Sequence, residues 1–268
     1  MISTFRAAPD IDVVSATATI ADFGHLAINA FVMHGDEPML VDTGSVVEAD
    51  EFMTALRTVI DPADLRWIWL SHTDFDHIGS LHTLLEENPQ LRVITTFFGM
   101  GIMGLSSTPL PPDRLRLVNP GERVRVGNRT LTAFKPPVYD NAVTTGFYDE
   151  TSRSLFSADC FGALLPDVPQ SAADINAADL RAGQTMWVTI DSPWIHGVDR
   201  NLHTEHLAQI GRLDPEIVLS GHLPPAPGTM LNTLLDTLAH APEAPAFATP
   251  DQAMLEAMLA GQSAGAAH

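Results

Sequence analysis

Nine residues, Ser71-His72-Thr73-Asp74-Phe75-Asp76-His77-Ile78-Gly79, follow directly on the apolar run Trp67–Leu70 and place two imidazoles and two carboxylates within six positions. A fold that uses this stretch must present it at the end of a rigid strand, where the side chains converge with little ordering entropy left to lose on binding. Imidazole and carboxylate donors together suit a borderline or hard divalent ion such as zinc, iron or manganese. Neighbours in sequence diverge in direction, so one ion does not take all four groups. The spacing predicts two ions, with His72 and Asp74 on one and Asp76 and His77 on the other. A hydrogen-bonded turn would account for Asp74 and Asp76, since Asp commonly satisfies backbone donors in turns, but it leaves the two interleaved histidines without a role.

The rest of the chain supplies the support. Ala27–Met33 and Met39–Val41 read as strands joined by a turn through Gly35–Pro38. Val47–Val59 carries apolar residues at near-helical spacing, and Ser80–Glu87 reads as a helix with Ser80 at its cap. Arg92–Thr95, Arg123–Val126, Thr130–Phe134, Thr144–Tyr148, Ser154–Ser157 and Ile217–Leu219 read as further strands, and Leu202–Leu213, Met230–His240 and Gln252–Leu259 as helices. Pro166–Gln184 is an excursion in which Ala172–Arg181 forms a short helix. Two β-rich halves that each close with helices predict an α/β (α+β) chain with sheets packed face to face beneath helices. One domain over residues 1–260 is expected, with 261–268 a frayed tail.

Composition narrows the chemistry. The 268 residues include 14 Lys+Arg against 33 Asp+Glu, a formal charge of −19, so nucleic acid and anionic membrane surfaces are not expected partners. The single cysteine, Cys160, excludes an internal disulfide, a Cys-rich zinc site and a cysteine-ligated cluster. No segment reaches the roughly 18 consecutive apolar residues of a membrane span. The N-terminal stretch lacks the basic flank and apolar run of a secretory signal, so a cytoplasmic location is expected.

The His-x-acidic-x-Asp-His-x-Gly pattern of residues 72–79 resembles that of the metallo-β-lactamase superfamily, whose fold is a four-layer αββα sandwich. Leu40-Val41-Asp42-Thr43-Gly44 is similar to the superfamily's earlier acidic signature. Ser157-Ala158-Asp159-Cys160-Phe161-Gly162 resembles the strand-end segment whose aspartate bridges both metals, and Ser220-Gly221-His222 resembles its last histidine. Hydrolytic members generally carry a third histidine where this chain has Asp74. An acidic residue there is similar to the flavodiiron and oxygen-binding diiron proteins, and that branch is the closest relative by resemblance. It implies His72, Asp74, Asp76, His77, Asp159 and His222 as ligands of two divalent ions, iron in preference to zinc or manganese. It also implies a homodimer.

The pattern breaks once. The superfamily has a further histidine ahead of the bridging aspartate, whereas Lys135–Thr144 contains none. Counting back from Thr144 and Asp159 places Asp140 there, and a slip of one residue selects Tyr139. Water in an empty position and a degenerate, metal-free site are the other readings. Asp74, Asp76, Asp140 and Asp159 would bring four negative charges together. Without ions such carboxylates repel by several kcal/mol per close pair even at an effective dielectric of about 20. Two divalent ions remove that cost. Asp42 is expected beneath the loop, either hydrogen-bonding a ligand imidazole or capping the turn before Gly44. His25, just before a strand, either reaches the site mouth as a proton donor or lies on the surface. His203 and His206, three apart on one helix face, read as a solvated pair or as a stray metal pair, and Phe97–Met103 as core or as the wall of a small pocket.

The function expected from the resemblance is binding or reduction of a small diatomic such as O2 or NO, with electrons from a separate donor. Only 46 residues follow His222, so no flavin is expected within this chain. A zinc-dependent hydrolase of an ester, lactone or phosphodiester is the alternative, since paired ions lower the pKa of bound water. A metal-poor binding protein is the third.

Overall fold

A computed structural model of the chain describes residues 2–106 and 109–265. Among these, thirteen strands form two sheets. The first contains, in spatial order, β1 (Ser3–Ala8), β2 (Ile11–Ile20), β3 (Gly24–Met33), β4 (Met39–Val41), β5 (Trp67–Trp69), β6 (Arg92–Thr95) and β7 (Leu115–Leu117). The second runs β13 (Leu223–Pro227), β12 (Ile217–Ser220), β11 (Ser154–Phe156), β10 (Gly146–Asp149), β9 (Arg129–Phe134) and β8 (Arg123–Val126). Helices α1 (Ala49–Leu56), α2 (Leu81–Glu87) and α3 (Phe97–Met103) accompany the first sheet, and α4 (Ala177–Asp191), α5 (Arg200–Gly211) and α6 (Leu231–His240) the second. A last helix, α7, covers Gln252–Gly265.

Strand periodicity makes this a four-layer αββα sandwich. Side chains alternate between the faces of a strand, and the central strands are apolar on both. Phe31, Met33, Met39, Val41, Trp67 and Trp69 point between the sheets, where they meet Leu131, Phe147, Phe156 and Leu219 from the second sheet. The residues between them, Ala30, Val32, Leu40 and Ile68, point outward and pack with Phe52, Leu56, Leu81 and Leu84 of α1 and α2. On the far side Leu155 and Val218 face Leu180, Val188, Leu207 and Leu234 of α4, α5 and α6. Trp69 meets Phe147 edge to face at 4.8 Å, and Phe31 meets Phe156 edge to face at 6.0 Å, so aromatic contacts join the two sheets.

β4, β6 and β8 fall on the residues expected for them. β3 begins three residues earlier than expected, at Gly24, and β1 and β2 have no counterpart among the expected strands. The expected short helix Ala172–Arg181 is instead a capped turn at Ala172–Asp174 followed by the 15-residue α4. α7 continues beyond Leu259 to Gly265, and residues 266–268 of the expected frayed tail lie outside the described residues. No described helix is long and apolar enough to cross a membrane.

β4, β5, β6 and β7 are parallel, as are β11 and β12. Their carboxyl ends open on one edge of the sandwich, the usual place for ligands in such sheets.

Candidate metal centre

Six connections meet at that edge. Asp42 follows β4, residues 71–79 follow β5, Asp140 lies between β9 and β10, Asp159 follows β11, His222 lies between β12 and β13, and Asp191 ends α4. The backbone is strained around them. Asp42, Ala158 and Phe161 all have positive φ, at 57°, 50° and 73°. For Ala158 and Phe161, which flank Asp159, this is a costly conformation that the surrounding packing must hold, and such strain gathers at functional sites. Two glycines leave room for the convergence. A Cβ at Gly79 would stand 2.3 Å from the Ser45 carbonyl oxygen, and one at Gly221 would stand 3.0 Å from both Asp159 Oδ1 and His77 Cε1.

Asp159 is the hub. His72 Nε2 stands 3.1 Å from its Oδ2, and His77 Nε2 and His222 Nε2 stand 3.2 and 3.4 Å from its Oδ1. Asp76 Oδ2 lies 3.3 Å from His222 Nε2 and 3.6 Å from His77 Nε2. Despite these distances, His72 Nε2, His77 Nε2 and Asp159 Oδ1 are buried and make no hydrogen bond. Ligand atoms of His72, Asp74 and Asp140 lie within 4.8 Å of one another, as do those of Asp76, His77 and His222. These are two candidate ion positions, with Asp159 between them.

The tautomers follow from the partners. His222 Nδ1 stands 2.7 Å from the Ala27 carbonyl oxygen, which only accepts, so Nδ1 carries the hydrogen. His77 Nδ1 donates to Asp42 Oδ2 at 2.9 Å. Ser71 Oγ donates to the same carboxylate oxygen at 2.7 Å and so accepts from His72 Nδ1 at 2.9 Å. In the neutral form all three rings turn an Nε2 lone pair inward. Asp42 thus supports His77 directly and His72 through Ser71, and it also accepts from the Ser71 backbone N–H at 2.8 Å.

Burial opposes charge on His77, but Asp159 and Asp42 outweigh it and raise its pKa well above the usual imidazole range; His72 is raised in the same way, chiefly by Asp159. Burial likewise opposes charge on Asp159, and His72, His77 and His222 together hold it well below the usual carboxylate range. Asp140 is pushed up to about 6 by burial and then by the charge of Asp159. Asp191 is pushed up to about 9 by burial, then by Asp159 and Asp140. Divalent ions at this point would displace those protons, and a donor set of three imidazoles and several carboxylates fits them.

All seven residues expected from the sequence to be ligands, His72, Asp74, Asp76, His77, Asp140, Asp159 and His222, lie together at this candidate centre. Tyr139 does not share it. Its ring lies between the Lys135 ammonium, 3.6 Å from the centroid, and the Trp194 ring at 5.0 Å, while Asp140 comes to His72 and Asp74. His25 turns to Thr19 Oγ1 at 3.1 Å, and no described contact links it to the centre. His203 is buried, bonding the Leu238 carbonyl oxygen at 3.0 Å rather than facing solvent. Trp187 walls the site, its ring centroid 4.8 Å from that of His222 and tilted 56° to it. Phe97 and Phe98 are 59% and 71% exposed, so they are not core. Two participants escape the sequence reading. Asn141 Nδ2 donates to Asp74 Oδ1 at 2.8 Å, and Asp191 joins Asp140 and Asp159 with carboxylate oxygens within 4.8 Å.

Residues 26–222 match the family model described as "ODP family beta lactamase". The rubredoxin-oxygen oxidoreductase of Megalodesulfovibrio gigas is 26% identical over 136 residues, which are 50% of this chain and 33% of that protein. Among solved structures, the rubredoxin oxygen:oxidoreductase from Desulfovibrio gigas superposes with a TM-score of 0.76 at 18% identity, over 91% of this chain and 62% of that one. The flavodiiron protein from Giardia intestinalis gives 0.75 at 15% identity, over 91% and 60%. The match spans 23 to 48% of the length of the first curated relatives.

Proposed function

Since the chain belongs to the ODP family of beta-lactamases, we propose that it holds two metal ions, iron in preference to zinc or manganese, and that it binds or reduces a small diatomic such as O2 or NO. One observation carries this reading. His72 Nε2, His77 Nε2 and Asp159 Oδ1 are buried without hydrogen bonds and face one another, an arrangement that is costly unless a cation joins them. His72, Asp74 and Asp140 would hold one ion, Asp76, His77 and His222 the other, and Asp159 would bridge. Such a pair, when bound, would supply an open coordination position and electrons for a diatomic ligand. The protein's own part is to fix the donors: Asp42 and Ser71 orient His77 and His72, the Ala27 carbonyl orients His222, and the Asn141 amide holds Asp74. Trp187 lies against the His222 ring, and His72, His77 and His222 are all buried.

Electrons would come from a separate donor. A homodimer belongs to the same proposal; Phe75, Phe97 and Phe98 leave exposed apolar surface at this end of the sheet that a second protein would cover. Oxygen uptake by anaerobically prepared protein supplied with a chemical reductant tests the function, together with the optical spectrum before and after air. The expected result is an oxygen-dependent absorption band and reductant-dependent uptake, both lost in His77→Ala. Two zinc ions with turnover of a generic ester or phosphodiester would instead support a hydrolase, and absence of both metals a binding protein.

A further inference from the structure

Asp191 is the last residue of α4 and comes to the centre beside Asp140 and Asp159. Its described hydrogen bond is with Ser192 Oγ at 3.3 Å. The charged groups that act on it most strongly are carboxylates, those of Asp159, Asp140 and Asp74, and no described base pairs with it. Oxygens of Asp191, Asp140 and Asp159 lie within 4.8 Å of one another. Carboxylate oxygens on one ion sit at about 2.0–2.6 Å from it, so a single cation spans that separation. An acidic cluster alone would say little. Here His72, 1% exposed, turns an unpartnered Nε2 into the same space, and Asp159, 3% exposed, has an oxygen without a hydrogen bond.

We propose that Asp191 is a further ligand of the ion held by His72, Asp74, Asp140 and Asp159. The inference rests on the dinuclear reading given above. It makes the two halves of the centre chemically unequal. One half offers a single imidazole, His72, among four carboxylates; the other offers two imidazoles, His77 and His222, with Asp76 and the shared Asp159. Carboxylate oxygen favours hard ions and imidazole favours borderline ones. The Asp191 half therefore leans toward manganese or ferrous iron relative to its neighbour, which takes zinc more readily. Asp191 and Asp140 together account for a site without the second imidazole.

Chelated, metal-free protein would be dialysed against Mn²⁺ alone and against Mn²⁺/Zn²⁺ mixtures, with bound metal read by elemental analysis and manganese also by electron paramagnetic resonance. Asp191→Asn keeps the size and hydrogen-bonding capacity of the protonated acid, and its fold is checked by thermal unfolding, with Asp191→Ser as the second variant. The expected result is two equivalents bound by the wild type. In the variant one equivalent weakens on the order of 10-fold or more in manganese affinity, the other is unchanged, and the bound Mn:Zn ratio moves toward zinc. A variant that matches the wild type in both affinities and in the ratio overturns the assignment of Asp191 while leaving the dinuclear centre intact. Wild-type protein that binds less than half an equivalent of either metal overturns both.

Discussion

Asp42 touches neither candidate ion position, yet three hydrogen bonds converge on its carboxylate, from His77 Nδ1, Ser71 Oγ and the Ser71 backbone N–H. Its removal would free the His77 ring to rotate, release the Ser71 hydroxyl that orients His72, and leave a buried N–H unpaired at about 1–3 kcal/mol. Outer partners of ligand histidines typically tune metal affinity about 10–100-fold. Asp42→Ala should therefore lower affinity by that order at both ions, because it reaches one imidazole from each half. Isothermal titration of metal-free protein measures it, and loss of one ion only would show that Ser71 orients His72 unaided. The sequence offers Asp42 two compatible places, beneath the loop and in the turn before Gly44; its carboxylate accepts from His77 and Ser71, and its φ of 57° lies in the turn.

At the scale of elements, the parts of the site that are legible in the sequence are those carried by short strands between turns. Met39–Val41, Trp67–Leu70 and Ile217–Leu219 announce themselves as apolar because both faces of a central strand are buried, and each runs straight into polar residues at the sheet edge. Asp140 is legible only by counting, since residues 135–145 lack a strand of their own. The structure holds that loop by a clamp no pattern reveals: Lys135 Nζ donates to the carbonyls of Asn141, Ala142 and Thr144 at 3.1, 2.9 and 3.1 Å. The same ammonium lies over the Tyr139 ring, which draws Tyr139 away from the centre as Asp140 turns toward it. Asp191 is not legible as a site residue because it ends a helix far along the chain from Asp159, past the expected excursion at Pro166–Gln184, whose helix the sequence places too early and too short. The apolar run at Phe97–Met103 misleads in another way. It forms α3, but its two phenylalanines face outward and only Gly99 and Met103 are buried.

For the whole molecule, the centre is a seam. His72, Asp74, Asp76 and His77 are supplied by the first sheet, Asp140, Asp159 and His222 by the second, so bound ions would cross-link the two halves of the sandwich. An ion that binds only the folded form stabilises it by about 2.7 kcal/mol at 100 times its dissociation constant. The ion-free protein has the opposite pH dependence to a metal-loaded one. Carboxyl groups raised to about 6 at Asp140 and about 9 at Asp191 bind protons more tightly folded than unfolded, where 3.8 is the ordinary value. Their stabilising effect is complete below that value and is lost as pH rises through the folded pKa values. Raised His72 and His77 act in the same direction. Metal-free protein should therefore melt at progressively lower temperature between about pH 5 and pH 9, whereas metal affinity rises over the same range as protons leave the ligands. Thermal unfolding with and without chelator across that range checks the sign; a metal-free melting temperature that rises with pH would contradict it.

Whether the centre holds two ions is read from the metal content of protein prepared anaerobically and reconstituted, counted per chain by elemental analysis. Close to two equivalents are expected, with iron the preferred ion. Less than half an equivalent after reconstitution would contradict a two-ion centre.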